Sequence, residues 1–412
     1  MSSRNFGLAR ILVRYLKYGE IFRCLYTTWD RTMNRVILKT TQAQNFVRFT
    51  LICQFFYFLA QIVSTVKYST TIADTFEAVM LVEICFVCIT LRWEFTVDHL
   101  PGQLLNHVIS SPGMRKRPGE KMDLSVTFVQ YIVIMTEIFT FFSSILIAAL
   151  NIFLPCKAPL ISSHFCQDGL SLIKLHTRLV FFVMECIISI LSLIGGTYYG
   201  VIIVCYCISY QFVRYKDLMK NTRTNISNIL AYRELQIENR IINFAIRGRI
   251  FLVFGYVSSV TQVVMGVAVV LMYHSKVDFL RVVAFGSSGA TMAPRQMTKK
   301  VLSDVGAPDI AGPLVFAYLA YMLIAPLFGS GYFVVLMACL LVFTIAGKLN
   351  KDSINWVRSC TARSSLEMRI VRLAPLRVEF GNNFVERLTP LVVQEFCIRQ
   401  VASLLIMTRA KF

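Results

Sequence analysis

Apolar stretches at 49–66, 72–91, 125–153, 179–208, 250–273, 314–347 and 388–407 divide the chain, separated by polar, basic segments. About 20 apolar residues in helical conformation cross ~30 Å of hydrocarbon, so each stretch predicts a transmembrane helix. Most are apolar on every face rather than along one stripe, which makes lipid and not water their solvent. The stretch 314–347 is longer than one crossing but shorter than the ~40 residues that two crossings and a turn require. It predicts a single helix, kinked near Pro326, whose end extends beyond the membrane. Gly196-x-x-x-Gly200 in the fourth stretch offers a small-residue face for close helix contact. Between spans the pattern changes: Ile226, Ile229, Leu230, Ile237, Ile241 and Phe244 recur at helical spacing among polar residues, as do Ile354, Val357, Leu366, Ile370 and Leu373. Both segments, 210–249 and 351–373, predict amphipathic helices, the second ended by Pro375. The expected fold class is all-α, a polytopic membrane protein with seven transmembrane helices and helical extensions that form a platform beyond the bilayer.

Composition supports this, with 56% hydrophobic and only 16% charged residues. The distribution of charge adds orientation. Of 42 Lys and Arg, 30 fall on one side when segments are assigned alternately: 9 in 1–48, 5 in 92–124, 8 in 210–249 and 8 in 348–387. The other side holds 11, and Arg399 lies within the last span. By the positive-inside rule the N-terminus is expected in the cytoplasm and the C-terminus outside. The net charge of +19 is therefore read as topology and contact with anionic lipid, with no nucleic-acid partner. The expected organisation is a cytoplasmic segment 1–48, helices 1–4 in 49–209, a cytoplasmic amphipathic segment 210–249, helices 5–6 in 250–347, a cytoplasmic anchor segment 348–387, and a final helix with a short outer tail in 388–412. Residues 1–48 lack a signal-peptide core, so the first span is expected to insert as a signal anchor, with the chain beginning near Met1.

Of the 12 cysteines, only Cys156 and Cys166 fall in an expected outer loop, where they are disulfide candidates. Cys85-x-x-Cys88 and Cys205-x-Cys207 lie within apolar helices and read as packing residues rather than ligands. The histidines have no metal-site spacing, and neither a Walker loop nor a Gly-x-Ser-x-Gly elbow occurs, so no enzyme activity, metal or cofactor is expected. More informative are the carboxylates within expected spans, Glu83, Glu137, Glu185 and Glu395, since each costs several kcal/mol in lipid unless paired or protonated. They read either as partners for polar groups of neighbouring helices or as lining of a water-filled path. Glu395 and Arg399, spaced i, i+4, allow an ion pair on one face of the last helix, which Ser403 continues.

The number of spans, the inside N-terminus, the helical extensions and the last helix ending near the C-terminus together resemble the insect gustatory and odorant receptor superfamily. Leu373-Ala-Pro-Leu-Arg377, Phe380-Gly-Asn-Asn-Phe384 and Leu388-Thr-Pro-Leu-Val-Val-Gln394-Glu-Phe396 are similar to the last-helix region of divergent gustatory-receptor-like proteins of springtails and related arthropods. The family's Thr-Tyr, five apolar residues, Gln-Phe signature is not intact here; Thr389, Gln394 and Phe396 give a degenerate echo of it. The resemblance implies a chemosensory receptor of the plasma membrane of sensory neurons, a ligand-gated cation channel subunit in a homo- or heterotetramer, opened by a small-molecule tastant or odorant. It implies one last helix per subunit around the pore, with Glu395, Arg399, Ser403 and Ile406 as pore-lining candidates. It also implies an agonist pocket in the outer half of the bundle, for which Phe141, Phe142, Phe181, Phe182, Glu185, Phe316, Tyr318 and Tyr321 are the candidate walls. Four copies of Arg399 would oppose cation flow unless Glu395 neutralises each or the stripe faces a neighbouring helix. A seven-helix G-protein-coupled receptor is the alternative, though Asp-Arg-Tyr and Asn-Pro-x-x-Tyr are both missing from the expected places; a secondary transporter ranks third.

Overall fold

The computed structural model of the chain describes residues 7–69, 72–93, 98–110, 124–167, 170–171, 174–220, 226–247, 259–267, 270, 311–361, 373–380 and 383–409. Helices dominate: α1 (Gly7–Ile21), α2 (Thr41–Tyr68), α3 (Ile72–Arg92), α4 (Leu100–Ser110), α5 (Leu124–Phe153), α6 (Leu175–Thr197), α7 (Tyr206–Lys220), α8 (Ile226–Arg247), α9 (Ala311–Thr361) and α10 (Thr389–Arg409). A π-helical stretch, Tyr198–Cys205, joins α6 to α7 without a break. Among the described residues, five helices are long and apolar enough to cross a membrane: Thr41–Tyr68, Thr127–Phe153, Leu175–Met219, Gly331–Ser359 and Thr389–Met407. The second expected span is α3, which carries Asp74, Glu77 and Glu83 along its length. Of the fifth expected span, 259–267 is helical, and most of the rest lies outside the described residues.

Two predicted boundaries move outward. The stretch expected at 314–347 is one helix, but it continues to Thr361, so the first part of the expected 351–373 helix belongs to it. No proline interrupts the chain between 347 and 361, and nothing in its backbone chemistry stops the helix there. The fourth span likewise runs on through α7, well past 208.

The N-terminal segment, expected only as a basic leader to the first span, is built into the fold. Helix α1 buries Leu12, Tyr15 and Leu16 in the main core, while Arg14 and Tyr18 on its other side meet Glu137 of α5. Arg14 forms an ion pair with that carboxylate, and the Tyr18 hydroxyl donates to it at 2.7 Å. A hairpin follows, β1 (Thr27–Asp30) antiparallel to β2 (Arg35–Leu38). Its turn is held by Asp30, which accepts from the Thr32 amide at 2.8 Å, and closes on Asn34 with a φ of 49, a left-handed position that asparagine tolerates. Helix α4 docks through Asn106, whose side-chain amide accepts from Val36 N at 2.6 Å and donates to Val36 O at 2.8 Å. It thereby satisfies one residue of the β2 edge as a neighbouring strand would.

Arg92, at the end of α3, joins this module to the bundle. It is 2% exposed and donates to Gln54 Oε1 on α2 at 2.6 Å, to Leu191 O on α6 at 3.2 Å and to Cys24 O before the hairpin at 2.8 Å. Gly195 makes room for it, since a Cβ there would stand 2.1 Å from Arg92 Cδ. Gly196 brings α6 against α3, where a Cβ would come within 2.6 Å of Cys88 Sγ and 3.2 Å of Cys88 Cα. That contact agrees with the small-residue face seen in the sequence.

At the opposite end of the bundle, Cys156 and Cys166 form a disulfide (S–S 2.09 Å, Cα–Cα 5.6 Å). Lys157 of the same loop pairs with Glu77 of α3. Near the hairpin end, α8 clamps an extended segment that leads to the last helix. Asn239 and Asn243 both donate to Arg377 O, at 2.9 and 2.8 Å, and Asn243 Oδ1 accepts from Glu379 N at 3.0 Å. Tyr232 packs against Trp356 of α9 with centroids 4.4 Å apart. Pro375 sits in this extended segment, where its missing donor costs nothing. A minimal hairpin, β3 (Glu379–Phe380) with β4 (Asn383–Phe384), then turns the chain into α10.

Replacing Gly195 with Ala should force the Arg92 side chain out of its network and lower stability by about 1–3 kcal/mol, the usual range for overpacking a core. Gly329→Ala, where an added Cβ meets nothing within 4 Å, should leave stability unchanged or slightly raised. Thermal unfolding of the two variants in the same detergent checks both.

Candidate functional site

The same small-residue chemistry that packs the helices also leaves a void among them. Gly196, Gly200, Gly331 and Ala338 line a cavity of about 160 Å³ bounded by α3, α5, α6 with its π-helical continuation, the helical stretch 259–267, and α9. Gly331 borders Phe139 so closely that a Cβ would lie 2.9 Å from its ring. The remaining wall is apolar, including Ile84, Leu91, Leu193, Met265 and Val335. Four threonines lie on it, Thr136, Thr140, Thr197 and Thr261, and three of them have committed hydroxyls: Thr136 donates to Ile132 O at 2.7 Å, Thr140 to Thr136 O at 2.8 Å, and Thr261 to Glu83 Oε1 at 2.9 Å. What faces the void is therefore mostly methyl and methylene, a surface suited to an uncharged apolar molecule. Part of the rim, Gly200 and Val201, belongs to the π-helical stretch, and such distortions are frequent at functional sites.

The stretch 259–267 connects this cavity to the last helix. Thr261 and Met265, spaced i, i+4, face the cavity. Ser259, Gln262 and Gly266 lie on another face of the same helical segment and meet α10. Gln394 Nε2 donates to Gln262 Oε1 at 3.0 Å, Cys397 Sγ lies 3.7 Å from Ser259 O, and Val401 Cγ2 lies 3.0 Å from the Cβ position of Gly266. Gln262 is fully buried. Gln394, singled out in the sequence as part of a signature, thus has a polar partner on a helix that also borders the cavity.

Apart from that seam, much of α10 is exposed. Leu391, Val392, Phe396, Ile398, Ile406 and Met407 are all exposed. Glu395 and Arg399 form their ion pair at 2.5 Å with side chains 61% and 76% exposed, and Ser403 and Ile406 share that exposure. The structure thus puts all four pore candidates on open surface of the last helix.

The expected pocket walls lie elsewhere. Phe141 packs edge-on against Tyr18 of α1, centroids 5.3 Å apart, and Phe142 is 51% exposed. Phe181 sits 5.3 Å from the ring of Phe165, near the disulfide loop, and Phe182 is half-buried on the same helix. Glu185 is fully buried and accepts from the Tyr57 hydroxyl at 2.6 Å. None of these five lines the cavity; the side chains of Phe316, Tyr318 and Tyr321 lie outside the described residues. The reason is steric: the aromatics fill space, and the void opens where glycine omits a side chain. Gly196 and Gly200 carried the available sequence signal, which was read there as packing alone.

The sequence matches no protein-family model and no curated protein. Solved structures do match. The insect olfactory receptor OR5 from Machilis hrabei superposes with a TM-score of 0.57 at 12% identity, covering 97% of this chain and 98% of that one. The same receptor in complex with eugenol gives a TM-score of 0.53 at 9% identity, covering 98% and 100%. From end to end, this chain has the fold of an insect olfactory receptor.

Proposed function

We propose that the chain is a chemosensory receptor of the insect odorant and gustatory receptor superfamily, acting in the plasma membrane of sensory neurons as a subunit of a tetrameric ligand-gated cation channel. One observation carries the reading. A single helical stretch, 259–267, contacts an apolar cavity with Thr261 and Met265 and the exposed last helix with Gln262 and Gly266. Occupancy of the cavity has a short mechanical route to α10 through one rigid element, as a two-state gate requires. The structural neighbour solved with eugenol supports a small organic ligand. The wall described above favours an uncharged apolar tastant or odorant with few hydrogen-bonding groups.

The surface left uncovered supports assembly. Leu230, Ile237 and Phe244 form an apolar stripe on α8 with exposures of 56%, 59% and 79%, on the side expected to face the cytoplasm from the charge partition. The opposite face of α8 is already spent on Tyr232, Leu235 and Ile242, which are buried in the subunit's own core. An aqueous apolar stripe of this kind is stabilised by burial against other copies. On this reading α8 and the end of α9 form the cytoplasmic anchor, and four α10 helices surround the pore with Glu395, Arg399, Ser403 and Ile406 toward its axis.

Solubilised in mild detergent, the protein should run as a tetramer, and Phe244→Asp combined with Ile237→Asp should shift it to monomers. A wild-type monomer in several detergents would count against the channel. Because exposed ion pairs contribute only ~0–1 kcal/mol, the charges of α10 are removable without unfolding the subunit. Glu395→Gln should leave a ring of positive charge and lower cation permeability several-fold, and adding Arg399→Gln should restore it; current–voltage relations that are identical in all three proteins would place the pair outside the pore.

A further inference from the structure

The start of α2 brings cations of the N-terminal module to the edge of an apolar face. Helix α2 is long and apolar enough to cross a membrane. Its Val47, Thr50, Leu51 and Gln54 are buried, while Phe46, Phe49, Ile52 and Phe56 form an exposed stripe on the other side. At the head of that stripe the Arg23 guanidinium stands over the Phe46 ring, 5.4 Å from its centroid. Asn45, the residue before Phe46, accepts from Arg48 Nη1 at 3.1 Å, so both guanidinium groups meet the same turn of α2. Arg48 also reaches the Tyr26 side chain, and Tyr26 O accepts from Lys39 N at 2.9 Å. The Lys39 ammonium donates to Gly19 O at 2.9 Å and lies within electrostatic reach of Glu20 and Arg23.

Arg23, Lys39 and Arg48 thus stand near a single carboxylate, Glu20, and among the described residues none of the three forms an ion pair with an acidic side chain. Burial holds the Lys39 ammonium below the usual lysine range, and the neighbouring Arg23 acts in the same direction. An anion brought to the cluster would oppose both effects. Arg23 has a φ of 50, a left-handed conformation that a side chain disfavours and glycine does not. What the position gains over glycine is a guanidinium held over Phe46, and its planar fork of donors suits the oxygens of a phosphate. A dissolved phosphate would use the cations alone. A phospholipid would use the cations for its headgroup and the apolar stripe for its acyl chains, and anionic lipids are concentrated in the cytoplasmic leaflet, the side to which the charge partition assigns this end of α2.

We propose that Arg23, Lys39 and Arg48 bind the headgroup of an anionic phospholipid whose acyl chains lie along Phe46, Phe49, Ile52 and Phe56. The site requires that α2 spans the membrane but not that the protein conducts, and it is tested without an odorant or a current. The probe is dioctanoyl phosphatidic acid, whose headgroup is phosphate alone, added to the purified protein in a neutral detergent. Dioctanoyl phosphatidylcholine and inorganic phosphate serve as comparisons. Ligand linkage predicts that phosphatidic acid raises the thermal unfolding midpoint by a few degrees over phosphatidylcholine, saturably with concentration, and that inorganic phosphate at the same concentration does not. Arg23→Gly, which suits the backbone at that φ, should weaken the effect with the fold intact. Adding Arg48→Gln should abolish it, whereas Arg240→Gln on α8 should leave it in place. Equal midpoints with the two lipids in the wild-type protein would overturn the proposal, as would an effect undiminished in Arg23→Gly or reproduced by inorganic phosphate. A change of oligomeric state in the double variant with no lipid added would assign the patch to contact between copies of the chain and overturn it too.

Discussion

Arg92 is the constraint around which the bundle is arranged. A guanidinium with 2% exposure and no carboxylate partner among the described residues is tolerable only if its donors are met, and here they reach Gln54 of α2, Leu191 O of α6 and Cys24 O ahead of the hairpin. Losing any of these partners leaves a buried charge short of hydrogen bonds, at a cost of about 1–3 kcal/mol or more. The network holds the N-terminal module, α2, α3 and α6 in one register. It exists because Gly195 has no side chain, and its neighbours Gly196 and Gly200 continue the gap in which α3 approaches and the cavity opens.

From that register the rest follows by contact. Helix α3 supplies the Ile84–Leu91 wall of the cavity, and Glu83 on the same helix accepts from Thr261. Thr261 belongs to the stretch that meets α10 one residue later, at Gln262. At the other end of α9, Gly347 lies against the chain entering α10, where a Cβ would stand 2.7 Å from Glu386 O and 2.9 Å from Arg387 Cα. Among the described residues the last helix is thus held at its entry and along the 259–267 seam, and much of its remaining surface is exposed. On the proposed reading, that exposed length is the low-stability element a gating motion would draw upon.

Much of this was legible in the pattern of apolar residues. The positions of the long helices, the single long helix beginning near 311, the Glu395–Arg399 pairing and the close contact at Gly196 all follow from local periodicity or i, i+4 spacing. The N-terminal module was not, because the partner of Arg14 is Glu137, 123 positions away, and a basic segment whose charge is met at that distance reads as a leader. Arg92 was hidden for a similar reason: at the edge of an apolar run it looks like a topological charge, and only the three carbonyl oxygens that converge on it mark it as structural. The cavity reversed the usual expectation that aromatic residues mark a pocket. Voids depend on which side chains are missing from facing helices, and a sequence shows that only when the facing pairs are known.

Recording from excised inside-out patches that contain the purified protein, in a bath free of nucleotides and cytosol, tests the central claim most directly. If the chain is the proposed ligand-gated channel, no second messenger is needed, and an apolar odorant from a chemical panel should evoke cation-selective current within milliseconds to seconds. A response that occurs in intact cells but vanishes on excision, and returns only when nucleotides are supplied, would contradict a ligand-gated channel and favour a receptor that signals through other proteins.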